Sequence, residues 1–343
     1  MKDKEFNWEI LAFTRFLLAF IVLIGHLSKF TDIGVFKYYN FLGSFEAILG
    51  FLLISGLSIG KSISRNKKSY FKRRMQRIYP VYLSSIALVV ILFTQPFSIN
   101  YVAVILLNVL FLNQALTTSS LVGPAWTLAV EVWLYALAPV FLKLSLKQLY
   151  AIIYISFICY CLYTCGRSLY HWNYYSGTTY GINLILLAFI WVAGFALAIF
   201  PNDKKNIAIN IGLILAAHIG LTILIQAGYR YKNHELDLLV SEDIPRFVAR
   251  MLCLTWVYMV VIYNHRIPSF SSMTTRIFNL LGNISYPLYL IHSSIFKAFE
   301  KYQVNNFWIL LLGSLLAAYL FFIIFDFYSK KRMEKKPIVL LPA

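Results

Sequence analysis

Residues 11–30 read LAFTRFLLAFIVLIGHLSKF, an apolar run interrupted by Arg15 and His26. A run of this length suits a helix crossing the ~30 Å hydrocarbon core of a bilayer. Ionisable side chains inside such a span cost a few kcal/mol or more, so each needs a reason. The two lie eleven positions apart, about 16 Å along a helix and close to three full turns, so both point to one face.

The rest of the chain repeats the apolar pattern. Hydrophobic residues make up 60% of the 343 positions and charged residues 13%, against roughly 25% charged in soluble domains. Strands of alternating polarity are absent, which argues against a membrane β-barrel. The expected fold is all-α, a polytopic transmembrane bundle of about ten spans plus a re-entrant segment. The spans fall at 9–29, 43–61, 78–97, 124–145, 148–166, 180–200, 206–228, 247–264, 278–299 and 305–328. A formal charge of +17 could suit nucleic acid. The basic residues, however, sit in short loops between apolar runs, the pattern that orients membrane proteins. Nucleic acid is therefore not an expected partner. Cys159, Cys161, Cys165 and Cys253 lie in apolar runs without metal-site spacing, so no metal is expected. No cleavable signal peptide is read at the N-terminus.

Loop charge sets the threading. The stretch from Lys61 to Arg77 holds eight basic residues and no acidic one, so it is expected inside. The tail after Tyr328 carries Lys330, Lys331, Arg332, Lys335 and Lys336 against Glu334, so it is expected inside too. Both termini are then cytoplasmic, provided that 100–114 does not cross. Its roughly 15 apolar residues are short for a span, and it reads as re-entrant or interfacial. The parse is one transmembrane domain over 1–329 and a short basic cytoplasmic tail over 330–343. The segments between Cys165 and Tyr180 and over 229–247 are candidate extracytoplasmic loops.

Three further polar residues stand out by depth. Glu131 in AWTLAVEVWLYALAPV and His292 in GNISYPLYLIHSSIF fall, like His26, in the outer half of their spans. Each alone could serve helix packing. Taken together, a His beside a carboxylate suits removal of a proton from a hydroxyl, with the carboxylate orienting the ring. At the opposite depth, Arg15 and KRRMQRIYP, with Arg73, Arg74 and Arg77, suit phosphate, which guanidinium binds bidentately. The reading is a conduit, with anion binding at the cytoplasmic mouth and proton chemistry near the far end.

These residues resemble the acyltransferase-3 family of integral membrane O-acyltransferases over most of the chain, most closely over 11–140 and 278–295. Arg15 and His26 match the family's first-span Arg and His with ten residues between them. FLLISG, with Ser55 and Gly56, looks like its FF-x-SG element. Arg74, Arg77, Ile78 and Pro80 match its Arg-x-x-Arg before I-x-P. WTLAVE resembles W-S-L-x-x-E, keeping Trp126 and Glu131 with Thr127 in place of the Ser. Gly282, Ile284, Ser285, Tyr286, Tyr289, Leu290 and His292 match G-x-I-S-Y-x-x-Y-L-x-H. Ile63, with Lys61 and Arg65 as neighbours, departs from a basic residue often found upstream of the Arg-x-x-Arg element. The soluble esterase-like domain of some members is missing, so transfer is expected to finish in the membrane domain or with a partner.

The resemblance implies transfer of an acyl group, usually acetyl, from cytoplasmic acetyl-CoA to a hydroxyl of an extracytoplasmic glycan or lipid-linked sugar. It places the protein in a bacterial cytoplasmic membrane as a modifier of cell-envelope polysaccharide, surrounded by membrane lipid. Arg15, Arg74 and Arg77 would hold the CoA phosphates. His26, poised by Glu131, would act as base or accept the acyl group, and His292 would share proton handling. Tyr286 or Tyr289 would donate to the oxyanion, with Trp126 at the substrate wall. The aromatics at 170–175 could stack on sugar or form an interfacial belt. The rival reading is a proton-coupled transporter or flippase of a lipid-linked saccharide.

Overall fold

The computed structural model describes residues 6–93, 95–96 and 98–327; the basic tail expected over 330–343 lies outside the described residues. These residues form eleven helices of eight residues or more and no strand. They are α1 (Trp8–Leu27), α2 (Ser44–Arg65), α3 (Tyr70–Leu92), α4 (Ile99–Val109), α5 (Ala125–Phe141), α6 (Leu146–Tyr170), α7 (Ile182–Ile199), α8 (Lys204–Lys232), α9 (Ile244–Ile262), α10 (Ser272–Lys301) and α11 (Phe307–Phe321). Every expected span coincides with one of them, and α4 is the segment read as re-entrant. Eight helical stretches are long and apolar enough to cross a membrane on those two criteria. Of the others in the bundle, α5 has 17 residues, and α10 has 30 residues with polar positions such as Ser285 and His292.

Helix α3 begins at Tyr70 rather than at the expected 78, so the basic run KRRMQR is itself helical. Lys, Arg, Met and Gln are good helix formers, and hydropathy marks only the apolar part of a helix. Arg74 and Arg77 consequently stand three apart on one face.

Glycines set the closest helix approaches. A Cβ at Gly56 would lie 1.9 Å from the Trp191 carbonyl oxygen, and one at Gly60 2.5 Å from Ala198 Cβ. Gly56 and Gly60 form the small-xxx-small spacing that lets membrane helices meet backbone to backbone. Opposite them, a Cβ at Gly194 would lie 2.2 Å from the Leu53 carbonyl oxygen. The order of these contacts makes α2 and α7 parallel. Helices α1 and α10 are also parallel: Phe13 stacks on Phe278, Gly282 abuts Ala12, and His26 meets His292. Helix α9 runs against α1, with Asn264 bonded to Asn7 and Trp256 to Thr14.

Serial threading gives these directions only if α4 does not cross. Without it α2 and α7 are the second and sixth spans, and α1 and α10 the first and ninth. Counting α4 would reverse one member of each pair. Its 11 residues reach about 16 Å, half of a ~30 Å core. The return segment satisfies its backbone internally, as irregular chain at membrane depth must. Asn108 donates to the Ser119 carbonyl at 2.9 Å and accepts from Leu121 N at 3.0 Å, while Trp133 donates to the Phe111 carbonyl at 3.0 Å.

Overpacking a close contact commonly costs about 1–3 kcal/mol. Gly56→Leu, which meets a backbone carbonyl, is expected to lower the melting temperature of the purified protein in detergent. Gly228→Ala, which faces open space within α8, should melt no lower than the wild type. Equal melting of Gly56→Leu would contradict the α2–α7 approach.

Candidate active site

Thr127, Glu131 and Tyr135 are spaced four apart on α5 and therefore share a face. That face meets α2 at Ser55. The Ser55 hydroxyl donates to Glu131 Oε2 at 2.9 Å, and the Tyr135 hydroxyl donates to the same oxygen. Trp191 Nε1 donates to Ser55 Oγ at 3.2 Å. The glycine contact at the next residue, Gly56, is what lets α7 bring the Trp191 indole so near. A carboxylate inside the bundle is thus held by two side chains, one from α2 and one from α5, with Trp191 of α7 behind them.

This cluster borders a cavity of about 710 Å³. At one end stand Lys61, Arg65 and Arg73; farther in are Arg15, Arg74 and Arg77; Phe51, Thr127 and Tyr289 line the other end. Arg73 is tied to the α2–α3 turn, donating to the carbonyls of Lys68 at 2.5 Å and Asn66 at 2.7 Å. Arg15 Nε is buried without a hydrogen-bond partner. Arg15 and Arg74 lie within electrostatic reach of Glu131. Six cations and one carboxylate line the cavity, a positive surplus that suits an anionic ligand.

Tyr289 stands at the cavity's inner limit. Thr127 Oγ1 lies 3.2 Å from the Pro124 carbonyl and 2.6 Å from the Tyr289 hydroxyl. A carbonyl can only accept, so Thr127 donates to Pro124 and Tyr289 donates to Thr127. The Tyr286 hydroxyl donates to the Ile78 carbonyl at 3.1 Å, linking α10 to α3. The donor role expected of Tyr286 is therefore already occupied, although its ring lines the cavity. Trp126 is buried and does not line the cavity; its ring meets Tyr174 edge-on at 6.1 Å.

One turn beyond Tyr289 lies the histidine pair. His26 Nδ1 is 2.7 Å from His292 Nε2, and His292 Nδ1 is 2.9 Å from the Leu288 carbonyl. The carbonyl requires a proton on His292 Nδ1. In the neutral ring His292 Nε2 then accepts, and His26 Nδ1 must donate to it. The lone pair of His26 is left on Nε2. His292 is fully buried, whereas His26 is partly exposed.

This geometry corrects the expected His26–Glu131 pair. The partner of His26 is His292, and Glu131 is bonded to Ser55 and Tyr135. Thr127 meets Tyr289, and α5 runs against α10, so Glu131 and His292 lie on opposite sides of that contact. Four residues one way and three the other separate them by about 10 Å along the bundle. The sequence reading judged depth from span ends, which could not resolve two turns. It also passed over Tyr135 and Trp191, although the four-residue spacing from Thr127 through Glu131 to Tyr135 was visible.

A second buried carboxylate also escaped notice. Glu46 on α2 is 3% exposed. Its Oε1 lies 3.5 Å from His218 Nε2 and 3.7 Å from Arg250 Nε. His218 Nδ1 lies 2.8 Å from the Tyr160 hydroxyl.

Residues 9–326 match the family described as "Acyltransferase domain". The chain is also 27% identical over 253 residues to a protein of Acidianus two-tailed virus titled "Putative acetyltransferase ORF330", covering 71% of this chain and 68% of the viral one. No solved structure matches. With the match spanning nearly its whole length, the chain belongs to the acyltransferase-3 family of integral membrane acyltransferases.

Proposed function

We propose that this acyltransferase moves an acetyl or similar acyl group from cytoplasmic acyl-CoA to a hydroxyl of an extracytoplasmic glycan or lipid-linked sugar. The observation that carries this reading is the arrangement along the bundle: an arginine-rich cavity leads to Tyr289, and the histidine pair stands one turn farther on. The proposed setting is a bacterial cytoplasmic membrane with both termini inside. The basic loop at Lys61–Arg77 supports that orientation, and the cavity opens among those residues.

Arg15, Arg74 and Arg77 would bind the CoA phosphates, with the pantetheine arm lying in the cavity. Glu131 then acts as the counter-charge that fixes Arg15 and Arg74, rather than as the partner of His26. The acceptor hydroxyl donates its proton to His26 Nε2 as its oxygen attacks the thioester carbon. The C–S bond breaks, and the proton on His26 passes to the departing thiolate. His292 is a positioning residue: its Nε2 accepts from His26 Nδ1 and keeps the reactive lone pair on the far nitrogen. Tyr289, at the boundary between cavity and imidazole, is placed to donate to the oxyanion if it releases Thr127.

Removing a general base typically costs 10²–10⁴-fold. His26→Ala is therefore expected to lower acetyl transfer by about that factor, with acetyl-CoA binding preserved. The checks are glycan mass spectra of expressing cells and calorimetry on the purified protein; undiminished acetylation would remove His26 from the chemistry. His292→Leu should behave similarly. His292→Gln, whose amide oxygen can still accept from His26, should recover part of the loss, and equal defects in both would reduce His292 to packing.

Arg77→Ala and Arg15→Ala are expected to weaken acetyl-CoA binding at least tenfold, with the salt dependence smaller for the buried Arg15. Unchanged affinity at every ionic strength would reject the phosphate site.

A further inference from the structure

A second cavity, of about 420 Å³, opens at the opposite end of the bundle from Arg65 and Arg73. It lies where the C-terminal ends of α6 and α8 meet the start of α9. The two segments read from sequence as extracytoplasmic loops, Cys165–Tyr180 and 229–247, meet here. Arg167 and Ser168 come from one side, and Gln226, Asp243, Arg246 and Arg250 from the other.

Charge is unbalanced in this cavity. Asp243 is bound by Arg230 at 2.8 Å and by Arg246 at 3.4 Å. Glu242 is bound by Arg246 at 3.1 Å. Glu46 takes Arg250 at 3.7 Å and His218 at 3.5 Å. Every carboxylate near the cavity thus has at least one cation. Arg167 has no carboxylate within ion-pair distance among the described residues. Its guanidinium lies over the rings of Tyr174 and Tyr175 at 4.7 and 4.8 Å. The Nε of Arg167 is buried without a hydrogen-bond partner, whereas that of Arg250 faces Glu46 Oε1 at 3.7 Å. A buried guanidinium donor left open beside a cavity favours an oxyanion, which accepts from such a group bidentately.

The cavity also lies close to the proposed chemistry. A Cβ at Gly43, whose φ is +82°, would lie 3.2 Å from Arg250 Cγ, and one at Gly25 would lie 2.1 Å from Ser44 Oγ. The first turn of α2 therefore separates the cavity wall from the residue next to His26.

We propose that this cavity binds the oxyanion of the acyl acceptor, so that the acceptor is an anionic sugar bearing a carboxylate or phosphate. The aromatic segment from Tyr170 to Tyr175 then flanks the sugar ring, and Ser168 and Gln226 face its hydroxyls. The assignment of the ligand as the acceptor rests on the acyl-transfer reading above; the oxyanion site itself does not.

The test titrates glucuronate and glucose 1-phosphate into the purified protein in a non-ionic detergent, with glucose as the neutral control and phosphatidylglycerol as a separate arm. Acetyl-CoA is titrated independently. The expected result is binding of at least one charged sugar, at least tenfold tighter than glucose and weakened at least tenfold by Arg167→Gln, with acetyl-CoA affinity unchanged. Ser168→Phe, which fills the cavity and leaves every arginine in place, should weaken sugar binding equally. No charged-sugar binding, equal glucose binding, or insensitivity to both variants would overturn the site. So would Arg167-dependent binding of phosphatidylglycerol alone, which would make it a lipid-headgroup pocket. A wild-type protein that binds charged sugar but not acetyl-CoA would instead count against the donor reading.

Discussion

The parallel packing of α1 against α10 is the contact on which the rest of the site depends. At one level Gly282 lets Ala12 approach to a distance that a Cβ would forbid. Farther along, the same pair of helices brings His26 and His292 within 2.7 Å. Two imidazoles at that distance can share a hydrogen bond only if one donates and one accepts. The Leu288 carbonyl decides which. A backbone group on α10 thereby determines which nitrogen on α1 keeps its lone pair. The cavity ends one turn short of this pair, at Tyr289, which shares α10 with His292 and contacts Thr127 on α5.

Polar groups in an apolar bundle persist only with partners, since each unsatisfied group costs several kcal/mol in hydrocarbon. The structure meets that demand in separate clusters. Glu131 is held with Ser55 and Tyr135, Glu46 lies by His218 and Arg250, and the histidines hold each other. The buried Nε atoms of Arg15 and Arg167, without hydrogen-bond partners, flank the two cavities.

Much of the fold was legible in the sequence because hydropathy and loop charge are strong signals. The ten expected spans coincide with helices, and the reading of 100–114 as re-entrant or interfacial rests on its short apolar length and on the agreement of the loop charges. Helix ends were less legible: KRRMQR is helical, yet nothing apolar marks it. The site was legible residue by residue but not in its pairings. His26, His292, Glu131 and Arg15 were all singled out by their cost in lipid, and that cost says only that a partner exists. Choosing His292 rather than Glu131 for His26 needs knowledge of depth to within a turn, and that depends on the glycine contacts. Glu46 and His218 carry the same signal within the spans 43–61 and 206–228, but neither falls in an element of the family resemblance.

In the proposed reaction the arginine-lined cavity delivers a thioester to His26. The most direct test is a cryo-electron microscopy structure with a non-hydrolysable ether analogue of acetyl-CoA. The account predicts phosphates against Arg15, Arg74 and Arg77, the pantetheine arm in the cavity, and the acetyl carbon within contact distance of His26 Nε2, about 4 Å. An analogue bound elsewhere, or one whose acetyl group ends at Glu131 with Tyr289 still closed over the histidines, would contradict it.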